Sequence, residues 1–196
     1  MVSKINNDNQ FKVCVFCAAS NECREEFLKD AFYLGKRLAE LNIKIIYGGG
    51  KVGLMGNLAY GAHSAGGDVM GVIPKLFKDL QLEHPDVKEM LVVDDLHKRE
   101  SIMIKEADGI IVLPGGCGTI EELLQAITWK LLGLIIKPIV IVNLDNYFSP
   151  LLEMLNRTVE EKFLDAESLK LWTVVSNIDE CIENIYLKYK YYKQLN

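Results

Sequence analysis

The chain has 196 residues, a formal net charge of −5 and 49% hydrophobic residues. This predicts one globular domain over residues 11–196 after a flexible, polar N-terminus of residues 1–10. The acidic balance argues against a nucleic-acid surface, which is normally basic, and no apolar run is long enough to cross a membrane. Five cysteines without the spacing of a disulfide scaffold, and no signal peptide before the first strand, favour a cytoplasmic protein.

Short apolar strands alternate with helices along the chain. We predict strands at residues 13–16, 43–47, 69–73, 90–93, 110–113, 139–142 and 172–175. We predict helices at about residues 25–41, 54–65, 96–106 and 120–132, one after Pro150, and a last one capped by Asn177 and Glu180. Runs this apolar, separated by helices, indicate a parallel sheet covered on both faces. The predicted fold is α/β: a doubly wound, Rossmann-like parallel sheet with helices on both faces, in a single domain.

Cys14 and Cys17 have the spacing of a C-x-x-C motif but lie inside the strand-like run of residues 13–17. Residues three apart on a strand point to opposite faces of the sheet, so their thiols are badly placed to share a metal or to pair. The histidines also lack the spacing of metal ligands and are predicted as surface or capping residues: His63, His84 and His97. We therefore predict no metal site.

The segment of residues 109–126 predicts a binding site. An apolar strand is followed by a glycine-rich loop, residues 115–118 (GGCG), after which Thr119 is expected to open a helix with Glu121 and Glu122 in its first turn. Helix N-terminal N–H groups and glycines that permit close approach form a cradle for a phosphate. Carboxylates beside such a cradle indicate chemistry on a phosphorylated substrate.

Glu122 also has a simpler interpretation. Thr119-x-x-Glu122 matches a capping box, in which Glu122 would only close the start of the helix, and from the local pattern alone the cap is favoured. The neighbouring glycine loop, together with the family resemblance described below, favours a functional carboxylate instead. In a first turn, the helix dipole would favour the ionised form by about 0.3–1 kcal/mol.

A second glycine loop, residues 48–53 (GGGKVG), follows the second predicted strand. Its G-x-G-x-x-G pattern resembles the dinucleotide fingerprint, but it belongs to the second βα unit and no acidic residue ends the next strand. We therefore expect no dinucleotide. Ligands of such sheets bind outside the carboxyl ends of the strands, so we expect both glycine loops to line one crevice.

Three motifs together resemble the LOG ("Lonely guy") family of phosphoribohydrolases, long labelled "possible lysine decarboxylases". They are residues 48–56 (GGGKVGLMG), residues 97–99 (HKR) and residues 114–122 (PGGCGTIEE). The resemblance runs from about residue 11 to the final helix. It implies hydrolysis of the N-glycosidic bond of a purine nucleoside 5′-monophosphate to free base and ribose 5-phosphate. Cytokinin riboside 5′-monophosphates are the family's known substrates, and some relatives cleave AMP.

The resemblance also implies roles for single residues. Arg99 and Glu122 would be the catalytic pair. The candidate substrate- and phosphate-binding residues are Gly49, Gly50, Gly115, Gly116, Cys117, Gly118, Thr119 and Glu121. A pyridoxal-phosphate decarboxylase would need a Schiff-base lysine, and the nearest lysine, Lys51, lies inside a glycine turn. We therefore predict no cofactor.

These roles agree with the chemistry of the side chains. Breaking the bond builds positive charge on the ribose, which a carboxylate such as Glu122 stabilises while orienting water. Arg99 is permanently protonated, so it would contact phosphate or ribose and would not transfer a proton. Without the motif, Lys98-Arg99-Glu100 would be interpreted as a solvated helix face.

Three positions depart from the family pattern. Glu100 follows the arginine where relatives usually have a basic residue, Cys117 replaces a bulky residue, and Gln81 stands where many relatives have glutamate. These departures leave the preferred base open. The competing function is a non-catalytic nucleotide sensor or carrier with the same cradle, against which the presence of both Arg99 and Glu122 argues.

The predicted helix at residues 120–132 is apolar on most sides. One stripe is expected to pack on the sheet: Ile120, Leu123, Leu124, Ile127 and Leu131. Ala126, Trp129, Leu132 and Leu134 extend the apolar surface to the other side, which predicts a homodimer contact. The family resemblance also implies a dimer. The alternative is that the helix after Asn177 covers this face within one chain.

Overall fold

The computed structural model describes the backbone of residues 10–195 and the side chains of residues 10–187. Seven strands belong to one parallel sheet. They are β1 (Lys12–Phe16), β2 (Lys44–Tyr47), β3 (Val69–Pro74), β4 (Glu89–Val93), β5 (Gly109–Val112), β6 (Ile139–Val142) and β7 (Thr173–Val175). The predicted N-terminal flexibility concerns residues that, apart from Gln10, lie outside the described part of the chain.

Helices follow the strands in sequence. They are α1 (Glu25–Glu40), α2 (Gly53–Ser64), α3 (Lys75–Asp79), α4 (Leu96–Glu106), α5 (Cys117–Leu131), α6 (Ser149–Glu160) and α7 (Ile178–Leu195). The α/β, Rossmann-like parallel fold predicted from the sequence is therefore confirmed. The short α3 and the 3-10 turns at Leu144–Asn146 and Ala166–Leu171 were not predicted. No helix in the described residues has the length and apolar character needed to cross a membrane.

Residue contacts divide the described chain into two compact units. The first contains residues 10–15 and 19–108, and the second contains residues 16–18 and 109–195. In the first unit the parallel strands have the order β4-β3-β2-β1, with Val13 opposite Ile45 and Ile46 opposite Met70. The residues of β1 from Val13 to Phe16 are buried, as expected for a parallel strand covered on both faces.

Two glycines let α1 and α2 approach closely in the first unit. A Cβ on Gly35 would lie 2.0 Å from the carbonyl oxygen of Leu58, and a Cβ on Gly61 would lie 2.0 Å from that of Phe32. Any side chain at these positions would push the helices apart. The contact therefore fixes α2, whose first residue is Gly53 at the end of the glycine loop.

The second unit contains three parallel strands in the order β5-β6-β7. The backbone N–H of Leu113 donates to the carbonyl of Phe16 at 2.9 Å, which anchors the end of β5. Helix α7 packs on β5, β6 and β7. Its predicted cap is confirmed: Asn177 Oδ1 accepts from the Glu180 N–H at 2.9 Å, and the Glu180 carboxylate accepts from the Ser176 N–H at 3.0 Å.

Candidate active site

The glycine loop of the second unit joins β5 to α5. Gly115 is buried, and a Cβ there would lie 2.1 Å from Thr119 Oγ1, so only glycine fits beside that threonine. The Tyr147 hydroxyl donates to the Gly115 carbonyl at 2.7 Å. Sequence reasoning missed Tyr147 because it lies 32 residues downstream, without a motif of its own. The loop is therefore held from two sides.

The exposed part of this loop is open to a ligand. Gly116, Cys117 and Gly118 are exposed, and a Cβ at either glycine would meet nothing within 4 Å. Gly116 is the N-cap of α5, and the first turn of any α-helix leaves N–H groups without an intrahelical acceptor. An anion can bind these groups directly.

The start of α5 corrects two expectations. The helix begins at Cys117, so Thr119 is its third residue and neither Glu121 nor Glu122 lies in the first turn. The capping-box interpretation of Glu122 is therefore wrong, because a cap requires Thr119 at the N-cap position. The helix-dipole argument also fails, since that effect falls off within the first turn. Glycine and cysteine at the helix start concealed this boundary, because neither is a strong helix former.

Glu122 is a buried carboxylate, with 2% of its surface exposed, whereas its neighbour Glu121 is exposed. Acidic side chains are almost never fully buried without a partner or a function. Glu122 lies close enough to Cys17 to act on its ionisation: burial, and secondarily the negative charge of Glu122, raise the pKa of the Cys17 thiol. Cys17 is therefore held as a neutral thiol, unsuited to metal binding or thiolate chemistry.

The glycine loop of the first unit, residues 48–53, adopts a backbone that other residues would resist. Gly49 has φ +76° and Gly53 has φ +66°, in the left-handed region that favours glycine. A Cβ on Gly53 would lie 2.4 Å from the Ser20 backbone nitrogen. The Gly53 N–H donates to Asn21 Oδ1 at 2.7 Å, a contact that no sequence motif indicated.

Arg99 lies on α4 in the same unit. Asp95 caps this helix by accepting from the Lys98 N–H at 2.7 Å, and only 8% of Arg99 is exposed. Its Nη1 lies 3.5 Å from the position that a Cβ on Gly48 would take. The structure therefore brings the predicted arginine against the predicted glycine loop.

The solvated-face interpretation of residues 98–100 holds for one residue. Lys98 is exposed and pairs with Asp94 at 2.8 Å, but Arg99 and Glu100 are buried, Glu100 with 2% exposed. The departure from the family pattern at Glu100 therefore concerns an interior position. Gln81, another departure from the family pattern, is exposed and has φ +56°. Its carbonyl accepts a hydrogen bond from Lys51 Nζ.

The face of α5 that packs on the core also differs from the prediction. The buried residues are Thr119, Glu122, Leu123, Ala126 and Ile127. Leu124 and Leu131, predicted to face the sheet, are 37% and 44% exposed. The helix is rotated about its axis relative to the prediction. The apolar stripe chosen from the sequence excluded Glu122, whereas in the structure Glu122 lies on the buried face.

Comparison with known proteins places the chain in a family. The sequence model of the family described as "Possible lysine decarboxylase" matches residues 55–185. Probable cytokinin riboside 5′-monophosphate phosphoribohydrolase LOGL2 of Oryza sativa subsp. japonica is 39% identical over 174 residues, which cover 89% of this chain and 71% of that protein. The chain belongs to the LOG family.

Further relatives agree with this LOG membership. Cytokinin riboside 5′-monophosphate phosphoribohydrolase LOG7 of Arabidopsis thaliana is 37% identical over 174 residues, covering 89% of this chain and 80% of the relative. Among solved structures, the molybdenum cofactor carrier protein of Chlamydomonas reinhardtii superposes with a TM-score of 0.69 at 23% identity, covering 91% of this chain and 98% of that one. At that identity the likeness concerns the fold alone.

Proposed function

We propose that this LOG-family chain is a nucleoside 5′-monophosphate phosphoribohydrolase, an N-glycosidase that releases the free base and ribose 5-phosphate. Its substrates are purine nucleotides of the cytokinin riboside 5′-monophosphate or AMP type, and the names of its relatives give the first of these for those proteins. The observation that carries the proposal is the buried carboxylate of Glu122, one turn after an exposed glycine loop at a helix N-terminus.

In this proposal the loop of residues 115–119 binds the 5′-phosphate. Backbone N–H groups at the start of α5 supply donors, and the exposed glycines allow the phosphate oxygens to approach them. Thr119 and Cys117 line the same loop, and Glu121 lies exposed on the following turn. Binding the phosphate would position the ribose for attack, which lowers the barrier by fixing orientation.

Glu122 then acts on the sugar. The bond between ribose C1′ and the base nitrogen breaks, its electron pair leaves with the base, and positive charge develops on the ribose. The carboxylate stabilises this charge and accepts a proton from the water that adds to C1′, and the departing base nitrogen takes up a proton in turn, so that the neutral free base is released. A buried position strengthens both effects, because charges interact more strongly where water is excluded.

We also propose roles for Arg99 and the loop of residues 48–53, which both lie in the first unit. The guanidinium is permanently charged and offers several fixed donors, which suits phosphate or ribose oxygens. Its contact with the Gly48 position supports a binding role for Gly49 and Gly50. We assign Arg99 to positioning and charge compensation, and proton transfer to Glu122.

Incubation with AMP or isopentenyladenosine 5′-monophosphate, followed by chromatography, tests the function. Free adenine or isopentenyladenine together with ribose 5-phosphate is expected, and the comparison of the two rates gives the preferred base. Adenosine, which lacks the phosphate, serves as the matched control and should be cleaved far more slowly. Binding of both nucleotides without release of base would establish the sensor or carrier instead.

We further propose a cytoplasmic homodimer whose contact includes the outer face of α5. The five cysteines are free thiols, as is usual in a reducing compartment. Apolar side chains are exposed on α5 and in the segment that follows it: Leu124, Leu131, Leu132, Leu134 and Ile136. Exposed apolar patches usually mark contacts. Helix α7, the alternative cover, packs instead on β5 to β7.

A further inference from the structure

A short segment crosses the glycine loop of the first unit. Residues 81–84 pair antiparallel with that loop, with Gly50 opposite Glu83. The Lys51 N–H donates to the Leu82 carbonyl at 3.0 Å, and the His84 N–H donates to the Gly49 carbonyl at 3.0 Å. These two bonds bracket the part of the loop assigned to substrate binding. The segment therefore fixes where the loop backbone lies.

His84 anchors the end of this segment. The sequence suggested a surface or capping residue, but the side chain is buried, with 1% exposed. Its Nδ1 accepts from the Asp86 N–H at 3.2 Å across Pro85, so this ring does close a turn. The ring also packs edge-on against Tyr60, with centroids 4.4 Å apart.

The protonation state of this ring follows from its contacts. A neutral imidazole that accepts at Nδ1 carries its proton on Nε2. His84 Nε2 is buried and has no hydrogen-bond partner in the described part of the chain. A buried donor without an acceptor is unfavourable, so an apolar side chain would suit the packing better. The Nδ1 acceptor is the contact that this histidine makes and that an apolar side chain could not make.

We propose that His84 is a positioning residue for substrate binding: its neutral ring closes the turn at residues 84–86, and its backbone N–H thereby holds Gly49 and the glycine loop in the binding conformation. This inference rests on the proposed function in assigning the loop to nucleotide binding. His84 acts through the loop and does not touch the substrate.

The proposal makes nucleotide binding sensitive to acid. A protonated Nδ1 cannot accept from the Asp86 N–H, so protonation would break the turn. Burial lowers the pKa of His84, the negative charge of Asp86 raises it less strongly, and the neighbouring His63 adds a still smaller lowering. A cavity of about 440 Å³ that His84 lines carries further titratable side chains: His63, Asp68, Asp86, Lys88 and Glu89. The ring therefore stays neutral at neutral pH and becomes charged only below its ordinary value of about 6.5.

Two variants separate the acceptor from the ring. His84→Asn keeps an acceptor for the N–H two residues on, as asparagine does in turns, whereas His84→Leu removes it. At pH 7.5 we expect His84→Leu to weaken AMP binding by about tenfold, which corresponds to the loss of one hydrogen bond. His84→Asn, which keeps the acceptor, should weaken AMP binding by less than about threefold. With a turnover assay, the same change should appear in KM and leave kcat within about threefold.

The acid response gives a second readout. Because the phosphate of AMP itself titrates near pH 6, the informative quantity is the ratio of wild-type to His84→Asn dissociation constants. This ratio should rise as the pH falls below about 6.5. A ratio that stays constant across the pH range in which imidazole NMR shows His84 becoming protonated, or wild-type affinity in a folded His84→Leu variant, would overturn the proposal.

A readout without nucleotide keeps this test distinct from the proposed function. Imidazole NMR of the wild-type protein should show the Nε2–H tautomer of His84 at pH 7.5. Amide exchange at Lys51 should accelerate in His84→Leu relative to His84→Asn. An Nδ1–H tautomer, or equal exchange, would contradict the role of His84 even where AMP is cleaved. Absence of AMP binding with the expected tautomer and exchange would instead count against the proposed function.

Discussion

At the scale of single residues, two glycines of the loop at residues 115–119 have different tasks. In Gly115→Ala the new methyl group would lie 2.1 Å from Thr119 Oγ1, whereas in Gly118→Ala it would meet nothing within 4 Å. We expect Gly115→Ala to lower the free energy of unfolding by about 1–3 kcal/mol, as overpacking does. Gly118→Ala should leave it unchanged or raise it by up to about 1 kcal/mol. Urea unfolding of both variants measures the difference, and equal stabilities would contradict the account of this loop.

The same scale shows what a sequence can and cannot reveal about the site. Arg99 and the glycine loops were found because motif and strand–loop–helix order coincide, and the structure places Arg99 against its loop. Tyr147 and Asn21 were missed because each reaches its loop from a distant segment. The burial of Glu100 and His84 was also missed, because hydrophobic patterning assigns charged and polar residues to the surface.

At the scale of elements, the apolar strands β1, β2, β3, β5 and β6 were predictable because each is buried along most of its length. The start of α5 was not, since Thr119-x-x-Glu122 fits a cap and a continuing helix equally well. The true N-cap, Gly116, offers no side chain to recognise. The rotation of α5 about its axis was also unpredictable. It places Glu122 on the buried face, whereas simple amphipathic patterning assigns a glutamate to the exposed face.

The packing of α1 on α2 carries the element-scale prediction. Gly35→Ala would place a Cβ 2.0 Å from the Leu58 carbonyl and 2.9 Å from the Ala62 nitrogen. We expect a loss of roughly 1–3 kcal/mol in the free energy of unfolding. Nucleotide binding should weaken too, because α2 starts at the glycine loop. Lys36→Ala, the neighbouring position, loses only an exposed ion pair 4.0 Å long with Glu40, and it should be nearly neutral. A destabilisation of Lys36→Ala as large as that of Gly35→Ala would rule out the close helix approach.

At the scale of the whole molecule, the exposed end of α5 predicts the assembly. Light scattering at micromolar concentration should give twice the 22.1 kDa mass of the chain. Leu132→Glu, at a side chain 66% exposed, should yield the monomer, because a buried unpaired charge is strongly unfavourable at an interface. Leu187→Glu on α7, 56% exposed, is the matched control and should remain dimeric. A wild-type monomer, or an unaffected Leu132→Glu dimer, would reject this contact. Trp129 is a poorer test site because it is half-buried.

The catalytic role of Glu122 is the central claim, and single-turnover cleavage of AMP or isopentenyladenosine 5′-monophosphate by Glu122→Gln tests it most directly. The amide keeps the shape of the side chain and removes its charge. The variant should fold, bind nucleotide within a few-fold of wild type and release base at least about a hundredfold more slowly. Glu153→Gln, an exposed glutamate on α6, should cleave at the wild-type rate. Release of free base by Glu122→Gln at a rate close to that of the wild type would contradict the account.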